Sequence, residues 1–104
     1  MAVLYVSEFS QLVMTPNGLA AMGQQPSLRD QTIAIGSGSL TPMYAFLPAT
    51  KFVRLHADSI CSIAFGPFSS VVATSANARM AANQTEYFGV PQSSNGSVAV
   101  ITNV

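Results

Sequence analysis

Lys51-Phe52-Val53-Arg54-Leu55-His56-Ala57-Asp58-Ser59-Ile60-Cys61-Ser62-Ile63-Ala64-Phe65-Gly66-Pro67 is the stretch that decides the fold. Phe52, Arg54 and His56 alternate with Lys51, Val53 and Leu55. After a break, Cys61, Ile63 and Phe65 alternate with Ile60, Ser62 and Ala64. A period of two is that of a strand with one face turned to a core. The link Ala57-Asp58-Ser59 is short enough for a hairpin, and Gly66-Pro67 ends the second strand.

Outward from this pair the same signals recur. Gln31 to Ile35 is a β-branched segment closed by Gly36-Ser37-Gly38-Ser39, and Met43 to Leu47 is a brief apolar segment between Pro42 and Pro48. Val71 to Thr74, Thr85 to Val90 and Ser97 to Thr102 read as further strands, the last two separated by a turn-rich loop from Pro91 to Gly96. Met1 to Met14 alternates in part and reads as one or two strands or as an extended arm. Thr15-Pro16-Asn17-Gly18 is a turn signal, because Pro presets φ and Asn-Gly accepts positive φ. Leu19 to Met22 reads as loop. Ser75 to Ala82 is the remaining helical candidate, Ala-rich but brief, or else a loop covering one end. Short strands separated by turn residues predict an all-β chain, a single-domain β-sandwich or jelly-roll-like barrel with little helix. Residues 1–104 form one domain in this reading, with 1–14 as its arm or its first strand.

Composition narrows the function. Of 104 residues, 49% are apolar and only 8% are charged, against about 25% charged in ordinary domains. Polarity rests instead on thirty-one Ser, Thr, Asn and Gln residues. Four scattered cations form no phosphate-tracking stripe, so nucleic acid is not an expected partner. One Cys and one His exclude an internal disulfide and a zinc site, and no metal or other cofactor is expected. No apolar run approaches a membrane span, and no basic segment followed by an apolar run marks a secretory signal. A surface this poor in charge lacks the repulsion that keeps small proteins apart, which suits a protein that works within an assembly.

Chemistry-bearing residues are few. His56 and Asp58 are two apart, and a nearby Ser would complete a hydrolase-like trio, but no Gly-x-Ser-x-Gly elbow accompanies them. The plainer reading makes His56 a strand residue bonded to a carbonyl or solvent and Asp58 the cap of the hairpin turn. Cys61 falls on an apolar strand face with no neighbouring cation to activate it, and reads as a small core residue. Gly36-Ser37-Gly38-Ser39 lacks the Lys and helix of a phosphate loop. Asn83-Gln84-Thr85 and Asn95-Gly96-Ser97 match a glycosylation pattern that is frequent by chance in such chains. No catalytic residue is assigned, and the expectation is a non-enzyme. Arg54 and Arg79, set against Asp58 and Glu86, are either specific pairs within or between subunits or solvated charges worth about 0–1 kcal/mol per pair.

Two segments carry a resemblance. Phe52 to Pro67 has an apolar-Arg-apolar strand, an Asp, a short Cys-bearing strand and a Gly. Met80-Ala81-Ala82-Asn83-Gln84-Thr85-Glu86-Tyr87-Phe88-Gly89-Val90 is followed by a turn and the closing strand Val98-Ala99-Val100-Ile101. Together they resemble small structural proteins of tailed-bacteriophage virions, over roughly the C-terminal half. Pro67-Phe68-Ser69-Ser70 stands where those proteins carry Pro-Thr-Ala. The resemblance implies a virion protein made in the host cytoplasm, most specifically a capsid decoration (cement) protein. Its implied partners are the major capsid protein or another virion protein and further copies of itself, a trimer being favoured. A neck, adaptor or tail component is the alternative within that class, and a glycan-binding module using Tyr5, Tyr44 or Tyr87 is the alternative outside it. The residues expected at intersubunit contacts are Val3, Leu4, Tyr5, Val6, Arg54, Arg79 and Glu86. An unpaired N-terminal strand, or the C-terminal one, offers backbone groups to a neighbour, unless both pair within one subunit.

Overall fold

The computed structural model describes residues 2–23, 25–90 and 95–103, without the side chains of residues 13 and 19–22. Among them there is no helix, and the chain is all-β. The described residues form nine strands: β1 (Val3–Phe9), β2 (Leu12–Thr15), β3 (Gly18–Gly23), β4 (Arg29–Ala34), β5 (Phe52–Ala57), β6 (Cys61–Pro67), β7 (Ala78–Met80), β8 (Gln84–Gly89) and β9 (Gly96–Thr102). Most of the loop expected from Pro91 to Gly96 lies outside the described residues.

Two antiparallel sheets enclose one core. The larger has the order β4-β1-β5-β8 and the smaller β7-β6-β9, while β2 and β3 form a separate ribbon. A bridge from Leu40 to Val100 adds one further rung beside β9. In the larger sheet Leu4 stands opposite Ile33 on one side and Ala57 on the other, and Val6 stands between Gln31 and Leu55. The smaller sheet supplies Cys61, Ile63, Val98, Val100 and Met80 to the same buried cluster, which Phe46 joins from a connecting segment. Covering each large apolar side chain contributes about 1.5–3 kcal/mol.

Of the segment Met1 to Met14, the described residues 2–14 form the first strand and the start of the second rather than an arm. Its first strand is a central one, paired on both edges, and Leu4 and Val6 are buried in the subunit's own core. The expected hairpin over Ala57-Asp58-Ser59 does not form either. β5 pairs with β1 and β8, and β6 pairs with β7 and β9. Asp58 is held at the end of β1, accepting Val3 N–H on Oδ1 at 2.6 Å and donating its own N–H to Val3 O at 3.2 Å. Beyond it, Asn103 N–H bonds Ile60 O at 3.2 Å, so the link carries the chain from one layer to the other. Three residues reach at most about 10 Å, which is the usual separation of stacked sheets.

Other elements differ from their sequence reading for local reasons. Leu19 to Met22 belongs to β3, which pairs with β2 across the turn at Pro16-Asn17, with Gly18 at φ 117°. Ser75 to Ala82 holds a turn and β7 rather than a helix. Asn77 Oδ1 accepts Thr74 N–H at 2.6 Å while Asn77 N–H bonds Thr74 O at 3.0 Å, which closes a turn where a helix would have to start. Met43 to Leu47 and Val71 to Thr74 are not strands. They lie against the sheets and bury Phe46 and Ala73.

Candidate functional site

The core face of the larger sheet leaves its opposite face to other work. The register sets two rows of side chains across that outer face: Asp30, Ser7, Arg54 and Tyr87, and beside them Thr32, Tyr5, His56 and Thr85. At one end the β2-β3 ribbon closes over the face. There Phe9 and Phe52 stack with ring centres 5.5 Å apart, Tyr87 lies 5.9 Å from Phe52, and the Tyr87 hydroxyl accepts Gly23 N–H at 3.0 Å. Along one side runs the segment carrying Met43 and Tyr44. Between them is an open groove of about 890 Å³ with Tyr5, Arg54, His56, Asp30, Thr32 and Tyr44 among its lining.

The rim at Tyr44 is built from beneath. Leu4, Val6 and Glu8 share the core face of β1, so Glu8 lies inside and is completely buried. Its Oε1 accepts Leu47 N–H at 2.8 Å and the Thr50 hydroxyl at 2.7 Å, and its Oε2 lies 3.4 Å from Gln31 Nε2. The Gln31 amide then takes Tyr44 at both backbone groups: Tyr44 N–H donates to Oε1 and Nε2 donates to Tyr44 O, each at 3.1 Å. Arg29 sits 5.2 Å from the Tyr44 ring centre and donates to Ala45 O at 3.1 Å. Sequence reading passed over Glu8, Gln31 and Arg29. The signal was present for Glu8, because the period of two that buries Leu4 and Val6 also points Glu8 inward.

The residues singled out for chemistry do not converge. His56 Nδ1 lies 2.6 Å from Thr85 Oγ1, rather than facing a carbonyl, and Asp58 is committed to Val3 rather than to a hairpin turn. Cys61 is buried, and burial first and the Asp58 charge second push its thiol up, so it stays protonated. Among the described residues no group of three His, Cys, Asp or Glu side chains is placed to hold a metal ion.

Of the expected contact residues, Leu4 and Val6 are interior and unavailable to a neighbouring chain, Val3 is half-buried and Tyr5 is exposed. Arg54 lies in the groove, where its Nη2 is 3.5 Å from Ser7 Oγ. Arg79 and Glu86 are exposed on β7 and β8. Arg54 and Arg79 find no carboxylate among the described residues, so the pairs considered from sequence do not form within the chain. Of the three tyrosines, Tyr5 and Tyr44 share the groove, whereas Tyr87 lines a separate apolar hollow of about 320 Å³ with Leu12, Phe52 and Phe88. No protein-family model, curated protein or solved structure matches this chain.

Proposed function

We propose that the chain is a non-enzymatic structural protein of a tailed-phage virion, a decoration (cement) protein that stabilises the head through contacts with the major capsid protein and with other copies of itself. The observation that carries this reading is the surface. Met14, Leu40, Met43, Tyr44 and Val72 are all large, apolar and substantially exposed, on a chain with four cations and four acids in 104 residues. Such side chains gain by being covered, and little charge opposes an approaching neighbour.

Imaging of particles made with and without the protein tests the proposal. The expected result is density for this chain on the head, as trimers at threefold positions, together with heads that rupture at lower temperature when it is omitted and recover when purified protein is added back. Density confined to a ring on the tail axis replaces the decoration role with that of a neck or adaptor component. Particles that contain none of the chain overturn the proposal.

A further inference from the structure

Tyr44 is 57% exposed and belongs to no strand, yet its backbone is fixed at both polar groups by Gln31, which is itself in contact with the buried Glu8. Taking a carboxyl group out of water is unfavourable unless its partners compensate. Here the partners are Thr50, Leu47 N–H and Gln31, so the buried group holds the connecting segment that presents Tyr44. A ring held still while exposed loses little freedom when something stacks on it, which is how pre-organisation raises affinity. Across the groove Tyr5 is 47% exposed, with its ring 6.1 Å from that of His56.

The floor between the two rings consists of hydrogen-bonding side chains on paired strands. On β1 and β5 the backbone groups are engaged on both sides, so the floor gives an extended peptide no edge to join, and the free edge beside the groove is that of β4. Hydroxyl-rich rings with apolar C–H faces fit this pattern: aromatic rings cover the C–H faces, and short polar side chains meet the hydroxyls. Charge narrows the class. Asp30 is engaged by the Ser27 hydroxyl at 2.9 Å, whereas Arg54 has one long hydrogen bond and no carboxylate partner among the described residues. A guanidinium with open donors is suited to a carboxylate, which it can take through two parallel bonds.

We propose that this groove binds an acidic saccharide, a short run of pyranose rings at least one of which carries a carboxylate, with Tyr5 and Tyr44 stacking on the rings and Arg54 taking the carboxylate. The site belongs to the isolated chain and does not depend on where the protein resides.

Calorimetric titration of the purified protein with trigalacturonic acid and with a sialic acid trimer tests it, with galactotriose as the neutral control and tetraglutamate as the acidic peptide control. Saturable binding is expected for at least one acidic trimer, about tenfold tighter than for galactotriose, since a charge-assisted pair accounts for a difference of that order. Arg54→Gln should remove that preference, Arg54→Lys should restore part of it, and Tyr44→Leu should weaken every saccharide about tenfold. Thermal melting of each variant confirms that it is folded, and Arg54→Lys keeps the charge test available if Arg54→Gln does not fold. No binding of either acidic trimer up to about 10 mM, equal binding of tetraglutamate, or binding unchanged in folded Arg54 and Tyr44 variants overturns the proposal.

Discussion

Glu8 shows how much one residue can organise. All its side-chain contacts are donors, so it acts as an acceptor for a connecting segment that has no ladder of its own. Glu8→Ala leaves Leu47 N–H and the Thr50 hydroxyl without their acceptor, and each such loss costs about 1–3 kcal/mol. The expected loss of stability in urea is roughly 2–5 kcal/mol, with Glu8→Gln milder because one acceptor oxygen remains. A Glu8→Ala variant as stable as the parent chain contradicts the role. Cys61 provides a second residue-scale expectation. Its thiol is pushed up in the folded chain, so the folded state holds a proton that the unfolded chain releases first. Stability from this group is therefore undiminished below the ordinary thiol value of about 8.5 and falls as pH rises from there through the folded value. Comparing the slope of stability with pH in Cys61→Ala and in the parent chain checks the sign, and alkylation of Cys61 should require unfolding. The inward position of Cys61 was legible from its alternation with Ile63, although the same pattern fails elsewhere on β6, since Phe65 is exposed and Ser62 is buried. The partner of His56 was not legible, because Thr85 lies on a strand twenty-nine residues away.

At the scale of elements, the strands were more legible than their pairing. β5 and β6 show the same alternation whether a three-residue link makes a hairpin or crosses between sheets. Competition for edges decides: β1 occupies one side of β5 and β8 the other, so β6 has no free side to join. β3 escaped notice because Leu19 to Met22 has no polar alternation, and its strand character comes from the partner that the Pro16-Asn17 turn brings back. Two predictions follow from how β1 and the ribbon are used. Deleting residues 2–9 removes a central strand together with Leu4, Val6 and Phe9, and the product should fail to fold, seen as loss of the cooperative melting transition. A folded product would return the segment to the status of an arm. The ribbon, being two-stranded, depends on its docking. A Cβ at Gly23 would lie 2.5–2.6 Å from Phe9 ring atoms, and that ring is buried and stacked on Phe52. Gly23→Ala should therefore destabilise the chain by about 1–3 kcal/mol, the usual effect of overpacking, measured by chemical denaturation; an unchanged midpoint would mean that the ribbon is not held at this point.

For the whole molecule the governing quantity is the balance between exposed apolar area and charge. Met14 and Met43 are about three-quarters exposed, and Leu40 and Val72 lie on segments joined by the bond from Ala73 N–H to Ser39 Oγ at 2.8 Å. Association through such side chains is expected to respond to salt in a particular way. Contacts between exposed ions weaken as the screening length falls from about 10 Å at 0.1 M salt to about 3 Å at 1 M, whereas burial of apolar surface does not depend on that length. Sedimentation of the isolated protein at tens of micromolar should show a species larger than the 10.9 kDa chain, and raising the salt should leave that species in place or enrich it. Dissociation by salt would instead assign the contact to the few charges, with Arg54, Arg79 and Glu86 the first to substitute. Replacing Met43 and Val72 by Ser separates the two cases further: both are exposed, so the fold should be unaffected while association through apolar contact weakens. A clean monomer across the whole salt range would remove self-association as the reason for the low charge, and the exposed apolar side chains would then need a different partner to cover them.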